Sequence, residues 1–150
     1  MRINQGYTLL ELLVTLAIAA VLMTYVVPSF LGMIERGNVA TTSNEALGAL
    51  LYARSEAVRI EGDVTFTPAN DGWTVTAAGV DIVDQTVDNN NISIANNLTG
   101  GDVIYNSRGR ADITVGDNLE ISFDGTVQNR ICLSPIGRPY IKKADEGACP

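Results

Sequence analysis

Residues 12–34 read LLVTLAIAAVLMTYVVPSFLGMI, and no side chain among them carries a charge. The run is long enough to cross a bilayer, for which a helix needs about 20 mainly apolar residues. Only Thr15, Thr24 and Ser29 interrupt it, so it lacks the polar face that a helix lying on a soluble core shows. A cleaved secretory signal is a second reading: Arg2 supplies a positive start and Ala17-Ile18-Ala19 a small-x-small cleavage pattern. That cut falls in the middle of the run and leaves AVLMTYVVPSFLGMI as an apolar tail with no use in a soluble protein. A retained membrane anchor fits better, preceded by the short polar head of residues 1–6.

Working outward, the first ionisable residue before the run is Glu11. A carboxylate inside a membrane segment costs roughly 3 kcal/mol at mid-helix and less near the interface, so such a residue usually has a partner. Equally, a carboxylate at headgroup level at the start of a helix suits the positive end of the macrodipole. The residues alone leave both readings open.

Composition narrows the function. The chain has 150 residues, 46% hydrophobic and 18% charged, which is apolar enough for one folded domain besides the anchor. Its 17 acids against 10 bases give a net charge of −7, which disfavours wholesale wrapping of nucleic acid or an anionic membrane. There is no histidine, so the commonest general base and the commonest zinc ligand are both missing. Histidine-based triads and zinc sites are thereby excluded, and the expectation is a protein that is not an enzyme, with no cofactor and no metal.

Beyond the run, Leu47, Leu50, Leu51, Ala57 and Val58 recur at three- and four-residue spacing, which predicts an amphipathic helix over 38–61 that stops at Gly62. From residue 63 onward the pattern becomes short alternating segments, at 64–68, 73–76, 92–94, 103–105, 119–123 and 131–133, punctuated by Gly, Asn and Asp. Turns are expected at Asn70-Asp71-Gly72 and Asp124-Gly125. The fold class that follows is α+β, a long helix packed against an antiparallel β-sheet head.

The stretch GYTLLELLV at 6–14 resembles the amino-terminal signature of type IV pilins and pseudopilins. The resemblance implies that a prepilin peptidase cuts between Gly6 and Tyr7, that Tyr7 is then N-methylated, and that Glu11 neutralises the terminal ammonium of a neighbouring subunit. The first mature residue in that family is most often Phe, and Tyr7 keeps the aromatic character. Pro28 falls where type IV pilins commonly carry a helix-kinking proline, whose missing amide loosens the preceding turn. The segments LGALLYARSEAV at 47–58, YNSRGR at 105–110 and ICLSPIGR at 131–138 together resemble the GspH/FimT group of pseudopilins and minor pilins. The implied organisation is a leader over 1–6, a transmembrane and filament-core helix over 7–34, and a periplasmic head over 35–150, β-rich from 63. The implied role is structural: a subunit of a type IV pilus or type II secretion pseudopilus, at or near its tip. It is held first in the bacterial inner membrane, where it meets the assembly platform and other pilins.

Export to an oxidising periplasm favours pairing Cys132 with Cys149, the only two cysteines, which pins an otherwise weakly apolar tail. Charge is uneven: Asp63, Asp71, Asp81, Asp84, Asp88 and Asp102 lie in a stretch with no base, whereas Arg130, Arg138, Lys142 and Lys143 lie in one with no acid. Some FimT-like minor pilins bind DNA through a carboxyl-terminal Gly-Arg-x-Arg motif. Gly137-Arg138-Pro139-Tyr140 matches it except for the second arginine, so Arg138, Tyr140, Lys142 and Lys143 are the candidate DNA-binding residues of an alternative reading. The Asp- and Asn-rich residues 84–91 lack an EF-hand pattern and read as a solvated loop.

Overall fold

The computed structural model describes residues 8–134 and 136–150, with Pro28 described in its backbone alone. Among the described residues one α-helix, α1 (Leu9–Arg59), is followed by nine strands: β1 (Val64–Ala69), β2 (Gly72–Ala77), β3 (Val80–Thr86), β4 (Ile92–Asn97), β5 (Val103–Tyr105), β6 (Ala111–Asp112), β7 (Asn118–Phe123), β8 (Thr126–Leu133) and β9 (Pro139–Lys143). A 3₁₀ turn, Ala144–Glu146, leads into the tail. The chain forms two compact units that divide between Gly37 and Asn38.

In the first unit, α1 begins at a threonine cap: the Thr8 hydroxyl accepts the Glu11 amide at 3.2 Å and the Thr8 carbonyl accepts the Leu12 amide at 3.2 Å. The two threonine hydroxyls of the apolar run bond within their own helix, Thr15 to the Leu12 carbonyl at 2.9 Å and Thr24 to the Val21 carbonyl at 2.7 Å. Their polarity is therefore satisfied without water, as a bilayer requires.

The second unit is the α+β head expected from the sequence. The part of α1 that belongs to it packs on two antiparallel sheets, one ordered β3-β2-β1-β5-β6 and the other β4-β7-β8-β9. The helix buries Val39, Ala46, Ala49, Leu50, Ala53 and Ala57, a stripe at helical spacing. Of the residues that the leucine spacing marks, Leu50 and Ala57 lie on this stripe and Leu47 packs against it, whereas Leu51 and Val58 are exposed. Four alanines set the face: small side chains let the helix lie close to the strands and turn the bulkier residues outward.

Facing it are Val64 and Phe66 of β1, Trp73 and Val75 of β2, Val103 and Tyr105 of β5, Leu119 and Ile121 of β7 and Ile131 and Leu133 of β8. Each strand contributes every second residue, as the period of two requires. The Phe66 and Trp73 rings stack with centroids 6.4 Å apart. The helix closes at Arg59, and the left-handed residue of its cap is Glu61 (φ 52°) rather than the expected Gly62, whose amide reaches back to the Ala57 carbonyl at 3.2 Å.

Both expected turns are present, and Asp124-Gly125 joins β7 to β8 with positive φ at both residues. A second such turn, Ala78-Gly79, joins β2 to β3, so residues 84–86 close an edge strand instead of opening a loop. Alanine is a poor turn signal and β3 is exposed almost throughout, which is why the pattern hid it.

Candidate functional site

Two surfaces carry the residues that the sequence singles out as candidates for function. The first is the amino-terminal helix. Glu11 occupies its third position, exposed, with its amide on the Thr8 cap, so its carboxylate sits in the turn where the helix dipole is positive. Gly6 and Tyr7 lie outside the described residues, as does the side chain of Pro28. From Leu9 to Ile34 the described large apolar side chains are exposed. In the head, Leu51, Tyr52 and Val58 of the same helix add exposed apolar surface. Sequence spacing assigned Leu51 and Val58 to the core, and the alanine periodicity was the signal for the true face.

The second surface is the carboxyl-terminal hairpin and tail. Cys132 and Cys149 are joined, with Cα atoms 5.5 Å apart. The register pairs Arg130 with Lys142 and Cys132 with Tyr140, so these four residues share the face of the sheet opposite the buried Ile131 and Leu133. The tail folds over that face. The Arg130 guanidinium donates to Glu120 Oε1 at 2.8 Å and to the carbonyls of Ala144 and Gly147 at 3.1 and 3.3 Å. The Lys142 ammonium donates to the Ala148 carbonyl at 2.8 Å. Arg138 and Lys143 are exposed and their cationic groups have no partner among the described residues, whereas Tyr140 is half-buried.

The three segments that resemble the GspH/FimT group meet at one point in the head. Arg54 Nε of α1 donates to the Gly109 carbonyl, in the loop before β6, at 2.8 Å. Gly137, in the loop before β9, has φ +78° and packs so closely that a Cβ there would lie 2.7 Å from the Ala111 nitrogen, 2.9 Å from the Gly109 oxygen and 3.2 Å from Tyr105 Cε1. The Tyr105 hydroxyl is buried with no hydrogen-bond partner among the described residues, and burial pushes its ionisation well above the ordinary phenol range. These motif residues therefore tie helix, first sheet and second sheet together.

A second lock holds the loop before β7. Asp117 is buried; its Oδ1 accepts the Thr99 amide at 3.1 Å and hydroxyl at 2.7 Å, and its Oδ2 accepts the Thr114 amide at 2.8 Å. Burial pushes the carboxyl's pKa up, but the bonds from Thr114 and Thr99 outweigh it and hold the group below its ordinary value.

A long apolar amino-terminal helix, a head of antiparallel sheets packed on its continuation and a disulfide-pinned tail define the pilin class. The family model described as type II transport protein GspH matches residues 42–137, and the prokaryotic N-terminal methylation motif matches residues 1–27. The chain belongs to the GspH family, and its role is a structural, pilus-type one. Among solved structures it is similar to the type IV minor pilin FimU of Pseudomonas aeruginosa strain PAO1 in two crystal forms. One has a TM-score of 0.61 at 16% identity, over 77% of this chain and 96% of that one. The other has a TM-score of 0.55 at 16% identity, over 73% and 95%. At that identity the likeness is one of fold. No curated protein matches the chain.

Proposed function

We propose that this chain is a minor pilin or pseudopilin processed after Gly6 by a prepilin peptidase and methylated on Tyr7. It is held in the inner membrane by residues 7–34 with residues 35–150 as a periplasmic head, and then built into a filament at or near its tip. The filament is a type IV pilus or a type II secretion pseudopilus, and the partners are other pilins and the assembly platform. The observation that carries this reading is the exposed run from Leu9 to Ile34, whose hydroxyls Thr15 and Thr24 already bond within the helix. Such a surface is stable only in lipid or against other apolar helices. Glu11 pairs with the Tyr7 ammonium of the adjoining subunit, and Pro28 lets the helix loosen locally when it packs.

The test is fractionation of the native host into membranes and sheared filaments. The wild-type chain is expected in both fractions; a Glu11→Val chain is expected to be cleaved yet confined to membranes. A wild-type chain never found in the sheared fraction would refute the assembly role, and Glu11→Val entering filaments normally would remove the pairing role.

The alternative, a DNA-binding minor pilin of natural transformation, draws support from the exposed Arg138 and Lys143. It is the weaker reading because Lys142 is held by the Ala148 carbonyl and phosphates would compete with that bond. A gel shift with duplex DNA separates the two: Arg138→Ala/Lys143→Ala weakens binding and its salt dependence only if DNA is the ligand.

A further inference from the structure

The sheet ordered β3-β2-β1-β5-β6 carries cations at one edge and carboxylates at the other. At the β6 edge the loop of the β5–β6 hairpin is fixed by its own bonds. Asn106 Oδ1 accepts the amides of Arg108 and Arg110 at 2.9 and 3.2 Å, the Asn106 amide donates to the Arg110 carbonyl at 3.0 Å, and Arg54 Nε braces the Gly109 carbonyl at 2.8 Å. Beside this loop opens a cleft of 580 Å³, lined by Asp63, the exposed Ile104, Asn106, Arg108, Arg110 and Asp112 among others. The Arg108 and Arg110 guanidiniums are exposed and pair with neither aspartate, since the ion pairs among the described residues are Glu56 with Arg59 and Glu120 with Arg130. Arg54 and the exposed Arg138, which follows Gly137 where that glycine packs on Gly109 and Ala111, add cations at the same crossing. At the opposite edge β3 pairs with β2 alone, so one row of its backbone amides and carbonyls has no partner strand. Asp81 and Asp84 are exposed on it beside Thr76 and Thr74 of β2, and neither strand carries a base. Val80 and Ile82 add exposed aliphatic surface there.

We infer that these two edges dock on one another in the filament, the arginine hairpin of one copy against the β3 edge of a second copy of this chain. Arg108 and Arg110 supply the counter-ions of Asp81 and Asp84, and Ile104 covers the aliphatic Val80 and Ile82. The occupant is a second copy because each edge carries what the other lacks: unpaired guanidiniums beside one aliphatic side chain, and unpaired carboxylates beside two. The patches lie on opposite edges of one sheet, so the contact is heterologous, the kind that propagates along a filament. The hairpin is already held in shape, so little ordering is required when it docks. A duplex nucleic acid suits the site less, because its charges follow one another every ~1.7 Å of axis and would meet Asp63 and Asp112 among the arginines. The inference rests on the assembly reading and names one of its contacts.

The experiment places a photo-crosslinking amino acid at Ser107, the exposed residue before Arg108, in the full chain in the native host. Sheared filaments are illuminated and adducts mapped by mass spectrometry. The expected product is a dimer of the chain in which position 107 is joined to a peptide within residues 78–88. With Arg108→Glu/Arg110→Glu the adduct yield is expected to drop about tenfold, in keeping with measured couplings of close charge pairs. Adding Asp81→Lys/Asp84→Lys to the same chain restores the charge match and is expected to restore the yield, which a misfolded head could not do. Adducts to a different protein, to nucleic acid or to another part of the head would overturn the inference while leaving assembly standing. So would filaments that contain the chain but give no adduct, a yield unchanged by the first charge reversal, or a loss that the second does not restore. Absence of the chain from filaments would overturn both.

Discussion

Gly137→Ala tests whether the three motif segments interlock as described. Alanine at φ +78° meets the left-handed penalty of about 1–2 kcal/mol. Its Cβ also falls 2.7 and 2.9 Å from backbone atoms of Ala111 and Gly109, which cannot rotate away. Forcing that contact apart adds an overpacking cost of about 1–3 kcal/mol. Gly79→Ala is the matched control, because Gly79 has φ +77° and nothing within 4 Å of its missing Cβ, so it carries the first penalty alone. At roughly 4 °C per kcal/mol for a head of this size, Gly137→Ala lowers Tm by about 8–20 °C and Gly79→Ala by about 4–8 °C. The assay is thermal unfolding of the detergent-solubilised full chain, followed by fluorescence of its single tryptophan, Trp73, which is buried in the head. Equal losses in the two variants would refute the tight crossing of the β9 loop on the β5–β6 hairpin.

Three further outcomes follow from other contacts. Cys149→Ser opens a loop spanning a sequence separation of 17 and is expected to destabilise the head by about 3 kcal/mol, and a reductant should lower the Tm of the wild type but not of the variant. Asp117 has a folded pKa below its unfolded value, so its stabilisation is complete above about pH 4 and is lost as pH falls through the folded pKa. Asp117→Asn should lower stability at neutral pH and flatten the acid limb of the Tm–pH curve. Glu61→Gly relieves the left-handed residue of the helix cap (φ 52°) and is expected to raise stability by up to about 1 kcal/mol in urea unfolding.

The amino-terminal surface was legible because a bilayer imposes a composition, and residues 12–34 satisfy it without reference to any tertiary contact. Helix and strand order were legible where side chains alternate against a core, as in Val64–Ala69 and Asn118–Phe123. Legibility failed where the decisive contact is distant in sequence. Nothing local marks Arg130 and Lys142 as braces for the tail, since their acceptors are carbonyls at 144, 147 and 148. Likewise Gly137 reads as an ordinary turn glycine until Gly109 and Ala111 are brought beside it. The helix face was misjudged at Leu51 and Val58 because leucine outweighs alanine in a hydrophobicity pattern, whereas close packing against the sheets selects for small volume.

The central claim is that residues 1–6 are a leader and that the chain reaches a filament through its exposed helix. Intact-mass and amino-terminal peptide spectrometry on protein from membranes and sheared filaments tests it most directly. The expected product is a chain beginning at N-methylated Tyr7 with Cys132 joined to Cys149, present in the sheared fraction. A functional protein that retains Met1, or one cut near Ala19, would contradict it and return Glu11 to the role of an interfacial carboxylate.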